Sequence, residues 1–327
     1  MKFRLTFPVK SIEPKISYGQ KVMVMGSCFA EEMGNRMIQD KMDVLLNPHG
    51  ILYTPAALVH AMNTYLEGKI YGSSDLVERN GLWHSWDHHG RFSDVNPATV
   101  LSRINEQQNL AINYIKEADW LILTLGSSFI YSLKENYKPV ANCHKFPAAQ
   151  FDKRLLTLEE VITSLDNMMH RLFFQNAKVQ ILFTVSPVRY VKDGVVENNL
   201  SKAILIQAVH HLVNKFNRLH YFPSYELVID DLRDYRFFKE DLVHPNDLAL
   251  QYVWESFLEH TWDASSRELQ QQLEAVRTAM QHKPLQPGSE DFKKFLSSYL
   301  SKVKVLKEKY PGLDLERELA YFGMADK

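Results

Sequence analysis

Short, continuously apolar runs alternate along this chain with longer stretches whose apolar residues recur every three or four positions. The runs KVMVMG (21–26), WLILTLG (120–126), VQILFTV (179–185) and ELVIDD (226–231) are bounded by Gly, Pro, Asp or Ser and read as buried strands; MDVLLNP (42–48) is a weaker fifth. Helical periodicity covers roughly 29–40, 55–67, 98–117, 157–175, 198–220 and 246–259. Strand and helix in regular alternation predict an α/β fold: a three-layer α/β/α sandwich around a parallel sheet of about five strands. Beyond residue 262 the pattern turns polar, charged and helical in SSRELQQQLEAVRTAMQHK (265–283) and EDFKKFLSSYLSKVKVLKEKY (290–310), with a break at PLQPGS (284–289). Two units are therefore expected, a sandwich domain over 1–262 and a helical extension over 263–327.

Composition narrows the class. The chain has 327 residues, 45% of them hydrophobic, which suffices for a substantial core. Its formal net charge is −1 and no Lys/Arg run stands out, which gives no argument for a nucleic-acid partner. Cys28 and Cys143 form neither a disulfide framework nor a CxxC motif. The opening MKFRLTFPVKSIEPK is interrupted by Pro8 and Lys10, unlike the apolar core of a secretory leader, and no run approaches the ~18 apolar residues of a membrane span. The expectation is a cytoplasmic protein that does not associate with membranes.

In an open α/β sheet, ligands bind beyond the carboxyl ends of the strands, so the residues following each apolar run are the candidates for chemistry. After the first run, Gly26-Ser27-Cys28 opens a helix. Ser27 there is either an N-cap or a nucleophile on a tight turn, and Cys28 is a rival nucleophile, since a helix N-terminus activates a thiolate. Asn47-Pro48-His49-Gly50 and Gly126-Ser127-Ser128 follow two further runs and read either as turns or as hydrogen-bond donors. In Asp241-Leu242-Val243-His244-Pro245-Asn246, the carboxylate and imidazole are spaced so that Asp241 can orient His244 as a general base. WHSWDHH (83–89) concentrates His84, Trp86, Asp87, His88 and His89; a substrate-facing edge is favoured over a structural or metal-binding role, and no metal is expected. Asn142 and His144 in NCHK form a second candidate cleft segment, and Arg189 is a candidate anion ligand.

GSCFA (26–30) together with DLVHP (241–245) resembles the GSCFA-domain family, a branch of the SGNH (GDSL-like) hydrolase superfamily. The resemblance spans about residues 20–260 and includes NPHGILYTP (47–55), WHSWDHH, LTLGSS (123–128), NCHK (142–145) and TVSPVR (184–189). It implies a flavodoxin-like sandwich and ester hydrolysis or acyl transfer without a cofactor. Carried over by motif, Ser27 is the nucleophile, His244 the base and Asp241 its orienting acid, with Cys28 left to pack. Oxyanion donors are expected from Ser27 N–H and Gly50 N–H. Ser128 stands where the superfamily carries an Asn donor, and loss of one such donor costs ~2.7–4 kcal/mol of transition-state stabilisation. Asn47 and Asn142 are the substitutes considered. The expected substrate is a small-molecule or carbohydrate ester. Acyl transfer to a sugar hydroxyl and a binding protein that has lost activity are the competing readings.

Overall fold

A computed structural model describes residues 4–282, 286 and 289–326. Its centre is a five-stranded, wholly parallel sheet. The strands are β1 (Lys21–Gly26), β2 (Asp43–Leu46), β3 (Trp120–Leu125), β4 (Gln180–Val185) and β5 (Leu219–Tyr221), in spatial order β5-β4-β3-β1-β2. The first, third and fourth are apolar on both faces because both are covered. Met23, Met25, Leu121, Leu123, Ile181 and Phe183 face one buried cluster, and Val22, Val24, Trp120, Ile122 and Leu182 face the other.

Helices α1 (Cys28–Gln39), α2 (Pro55–Glu67), α3 (Pro97–Glu117), α4 (Leu158–Gln175), α5 (Val195–Lys215) and α6 (Asp247–Thr261) supply the outer layers. Leu58 and Met62 of α2, Ile115 of α3, Leu165 and Met169 of α4, and Leu205 and Leu212 of α5 close one face. Phe29 and Met33 of α1 and Val253 and Phe257 of α6 close the other. The molecule is thus the expected α/β/α sandwich. The chain reverses its direction of winding at β1, which lies between β2 and β3. Crevices at such a reversal are where these folds bind ligands.

One expected strand is not a strand. ELVIDD forms the end of a short helix (Ser224–Glu226) and a single π-helical turn (Leu227–Leu232). Leu227, Val228, Asp231 and Leu232 are buried while Asp230 is exposed, a helical spacing that a six-residue apolar run does not disclose. The fifth strand is instead Leu219–Tyr221, inside the stretch read as helical to 220; α5 ends at Lys215.

Two small antiparallel sheets also went unread. A hairpin pairs Leu76–Arg79 with Leu82–Ser85, and Phe129–Leu133 lies between Pro139–Val140 and Phe151–Leu155. After the sandwich, α7 (Ala264–Gln281), α8 (Glu290–Lys309) and α9 (Glu316–Phe322) build their own apolar cluster, to which Leu273, Val276, Leu300, Val303 and Phe322 belong. They dock on the sandwich through Tyr18, through the Arg277–Asp40 ion pair and through Lys41–Glu318 at 2.9 Å. The break predicted at PLQPGS falls, apart from Gln286 and Ser289, outside the described residues.

Candidate active site

β1 ends at Gly26, where the backbone takes φ +147° and a Cβ would stand 2.3 Å from Thr124 O, so only glycine passes this close to β3. Ser27 follows as the N-cap of α1 with extended geometry (φ −71°, ψ 178°), yet its side chain caps nothing. Ser27 is 2% exposed and its Oγ has no hydrogen-bond partner. An N-cap serine contributes ~1 kcal/mol when its oxygen accepts from the first turn, and here that contribution is forgone. The plain capping role is therefore not the one this side chain plays.

The partner pair sits in the loop before α6. Asp241 Oδ1 accepts from Val243 N–H at 2.9 Å and His244 N–H at 3.0 Å, while Oδ2 lies 2.7 Å from His244 Nδ1. Those two backbone donors, then the imidazole, hold the Asp241 carboxyl down at about 2. An ionised carboxylate only accepts, so His244 Nδ1 carries the proton and Nε2 is left free. Leu242 adopts a left-handed backbone (φ +58°) to bend this turn. Lys239 N–H donates to His244 O at 2.8 Å, and Arg189 N–H donates to Val243 O at 3.2 Å. Pro245 is not in the first helical turn: Asn246 is the cap, accepting from Ala249 N–H at 3.1 Å.

Ser27 and His244 open on the same cleft, a cavity of about 700 Å³. Cys28 lines it too, so it does not simply pack away, but burial pushes its thiol pKa up and keeps it protonated at neutral pH. Asn142 and Arg189 also line the cleft. The Arg189 guanidinium also lies over the Phe238 ring at 4.4 Å, bracing the loop that carries His244.

The remaining candidate donors are engaged elsewhere. Ser27 N–H, expected as an oxyanion donor, instead donates to Thr124 O at 3.3 Å, continuing the β1–β3 ladder past Gly26. Gly50 N–H donates to Asn47 O at 2.7 Å, and neither residue lines the cleft. Asn47 Oδ1 accepts from Gly26 N–H at 2.9 Å, fixing the end of β1, while its Nδ2 is buried without a partner. Ser128 is fully buried and turned to α5, where its hydroxyl donates to Ser201 O at 3.0 Å. Its neighbours Gly126 and Ser127 face the cleft instead.

WHSWDHH proves to be a structural knot, since none of its residues lines the cleft. His88 stacks on His49 with ring centres 4.1 Å apart and bonds Ser85 Oγ at 2.9 Å. His49 bridges Tyr65 and Tyr71 hydroxyls at 2.6 and 3.1 Å. Burial keeps both imidazoles neutral, pushing His49 down to about 3. His84 stacks on His144, whose Nε2 reaches Ser85 O at 2.8 Å, and Trp86 packs on Phe146 at 4.7 Å. The side chain of His89 presses on Gly50 and accepts from Arg91 N–H at 3.3 Å. Asp87 is buried against His60 at 3.0 Å and Lys138 at 3.1 Å. Among the described residues no three His, Cys, Asp or Glu side chains are grouped to hold a metal ion.

The cleft walls come mostly from residues not singled out in the sequence, Phe129, Tyr131, Phe146, Phe151 and Tyr190, together with Tyr53 of NPHGILYTP, and the lining includes the exposed Lys145 and Lys192. Phe129 and Tyr131 stand two apart in FIYSL, a strand spacing that puts both rings on one side.

The sandwich, with an uncommitted serine after its first strand and an Asp–His pair before its last helix, is that of the family read in the sequence. The chain belongs to the GSCFA family, whose profile matches residues 21–257; a second, GSCFA domain protein, C-terminal domain, matches 273–324. A carbohydrate esterase family 3 from Talaromyces cellulolyticus is similar in structure at 9% identity and TM-score 0.36, covering 78% of this chain and 99% of that one. An acetyl xylan esterase (Est2A) from the rumen bacterium Butyrivibrio proteoclasticus is similar at 10% identity and TM-score 0.36, covering 75% of this chain and 64% of that one. No curated protein matches the sequence. No helix among the described residues is long and apolar enough to cross a membrane.

Proposed function

We propose that the protein is a serine-dependent hydrolase of carboxylic esters of the SGNH type. In this reading residues 1–262 carry the catalysis and 263–327 are a helical extension. The observation that supports it is that one cleft is lined both by Ser27, whose hydroxyl is uncommitted, and by His244, whose Nδ1 is already taken by Asp241. Ser27 Oγ attacks the acyl carbonyl and passes its proton to His244 Nε2, which returns it to the leaving alcohol. Water then repeats the sequence on the acyl-serine and releases the acid. Asp241 holds the imidazole tautomer, and the first turn of α1 directs its N–H groups toward the developing oxyanion.

The cleft lining supports a substrate class. Its walls are mainly aromatic and aliphatic, and among the described residues its lining contains Lys145, Arg189 and Lys192 but no carboxylate. An ester with an apolar acyl or aryl part and a negative charge at the cleft mouth fits that surface. Hydrolysis of p-nitrophenyl acetate tests the mechanism: Ser27→Ala removes turnover and His244→Ala lowers kcat by about 10²–10⁴-fold. Unchanged turnover in Ser27→Ala rejects the reading.

A further inference from the structure

Lys202 lies on α5 beside Ser201, and it is 1% exposed. Its Nζ donates to Gly126 O at 2.7 Å and Ser186 O at 2.6 Å, the first residues beyond β3 and β4, both of which line the cleft. The Tyr225 ring is 5.9 Å from Nζ, and among the described residues no carboxylate pairs with it. A lysine charge enclosed without a counter-ion is costly, and a neutral donor could tie two carbonyls together equally well. Ser27 lies against this same turn: its Cβ is 3.5 Å from where a Gly126 Cβ would be. Three donors that could have faced an oxyanion here are spent, Ser27 N–H on Thr124 O, Gly50 N–H on Asn47 and the Ser128 hydroxyl on Ser201. Besides Lys145, Arg189 and Lys192 in the lining, positive potential at this end of the sheet comes from the first turn of α1 and from the buried Lys202.

We infer that Lys202 is a positioning residue of the Ser27 site: it ties the ends of β3 and β4 together and sets a buried positive charge under the cleft floor, where the acyl oxyanion develops. This inference rests on the serine reading. Burial pulls Lys202 down to about 7, so the charge is present below neutral pH and is lost above it. Ammonium and amine can both donate to the two carbonyls, so the floor keeps its shape when the proton leaves. Among the described residues, the titratable groups facing Nζ are the Cys28 thiol from α1 and the Tyr225 phenol from the short helix after β5. Burial raises both, leaving them neutral in this range.

The test is kcat/KM for p-nitrophenyl acetate from acid to alkaline pH in wild type, Lys202→Met and Lys202→Arg, with melting temperature measured alongside. Wild type loses activity as pH rises through neutrality. Lys202→Met is slower on the acid side by about tenfold, below the full cost of a lost oxyanion donor because the charge acts through the floor. It has no alkaline fall, and Lys202→Arg recovers rate without the fall. If Lys202→Met does not fold, the comparison of wild type with Lys202→Arg decides. A wild type with no alkaline fall overturns the inference, as does a fall with the same midpoint in the variants. A fluorophosphonate adduct mapped to Ser27 in wild type separates this failure from failure of the serine reading, which would leave Ser27 unmodified.

Discussion

At the residue scale, positions 27 and 28 offer two nucleophiles to one cleft, and their surroundings treat them differently. The thiol is driven toward its protonated form by burial, whereas the hydroxyl is left without a partner. An alcohol does not need to be ionised beforehand if a base stands ready, which is the work assigned to His244. Charge at the cleft mouth gives a second prediction. Lys145→Glu with Lys192→Glu raises KM for a carboxylate-bearing ester such as p-nitrophenyl hemisuccinate more than for p-nitrophenyl acetate. The difference is about fivefold, the worth of ~1 kcal/mol between solvated charges. Equal KM changes for the two esters speak against an anionic substrate. Asp241 and His244 could be paired from the sequence because they stand three positions apart. Ser128 and Lys202 could not be placed in that way. The burial of both depends on the packing of α5 under the β3 turn, and in NNLSKAILIQ a lysine reads as a surface residue.

At the element scale, the WHSWDHH segment, which begins in the Leu76–Ser85 hairpin and runs past it, is held by packing and ion pairs. Asp87 is 4% exposed; its burial favours the neutral form, but His60 and Lys138 outweigh this and hold it well below the usual carboxylate range. A depressed carboxylate contributes stability that is complete above its unfolded value of ~3.9 and is lost as pH falls through the folded value. Asp87→Asn is therefore expected to cost about 2 kcal/mol at neutral pH, less than a wholly buried pair because its partners reach solvent. Urea titrations should show the gap narrowing below about pH 4. A gap independent of pH would mean that shape, and not charge, holds this segment. β1, β3 and β4 were legible because continuous apolar runs mark strands buried on both faces. β5 was hidden because Leu219–Tyr221 is three residues long and joined to a helical pattern. Of the cleft-wall strands, Phe151–Leu155 (FDKRL) mixes apolar with charged positions and Phe129–Leu133 (FIYSL) is short and interrupted by Ser132, and their pairing joins segments about twenty residues apart.

At the scale of the whole molecule, the C-terminal helices are tied to the sandwich at Asp40, which is 1% exposed and pairs with Arg277. Arg277→Met leaves that carboxylate buried and uncompensated, and is expected to cost about 3 kcal/mol in chemical denaturation. Esterase activity of the folded fraction should be unaffected, because α7 does not line the cleft. A loss of activity at unchanged stability would instead tie the extension to the site. The central claim concerns Ser27 itself. Its most direct test is reaction with a fluorophosphonate, followed by mapping of the modified residue by mass spectrometry. The account predicts one adduct on Ser27, kept in Cys28→Ala and lost in Ser27→Ala. An adduct on Cys28, or one that survives Ser27→Ala, would contradict it.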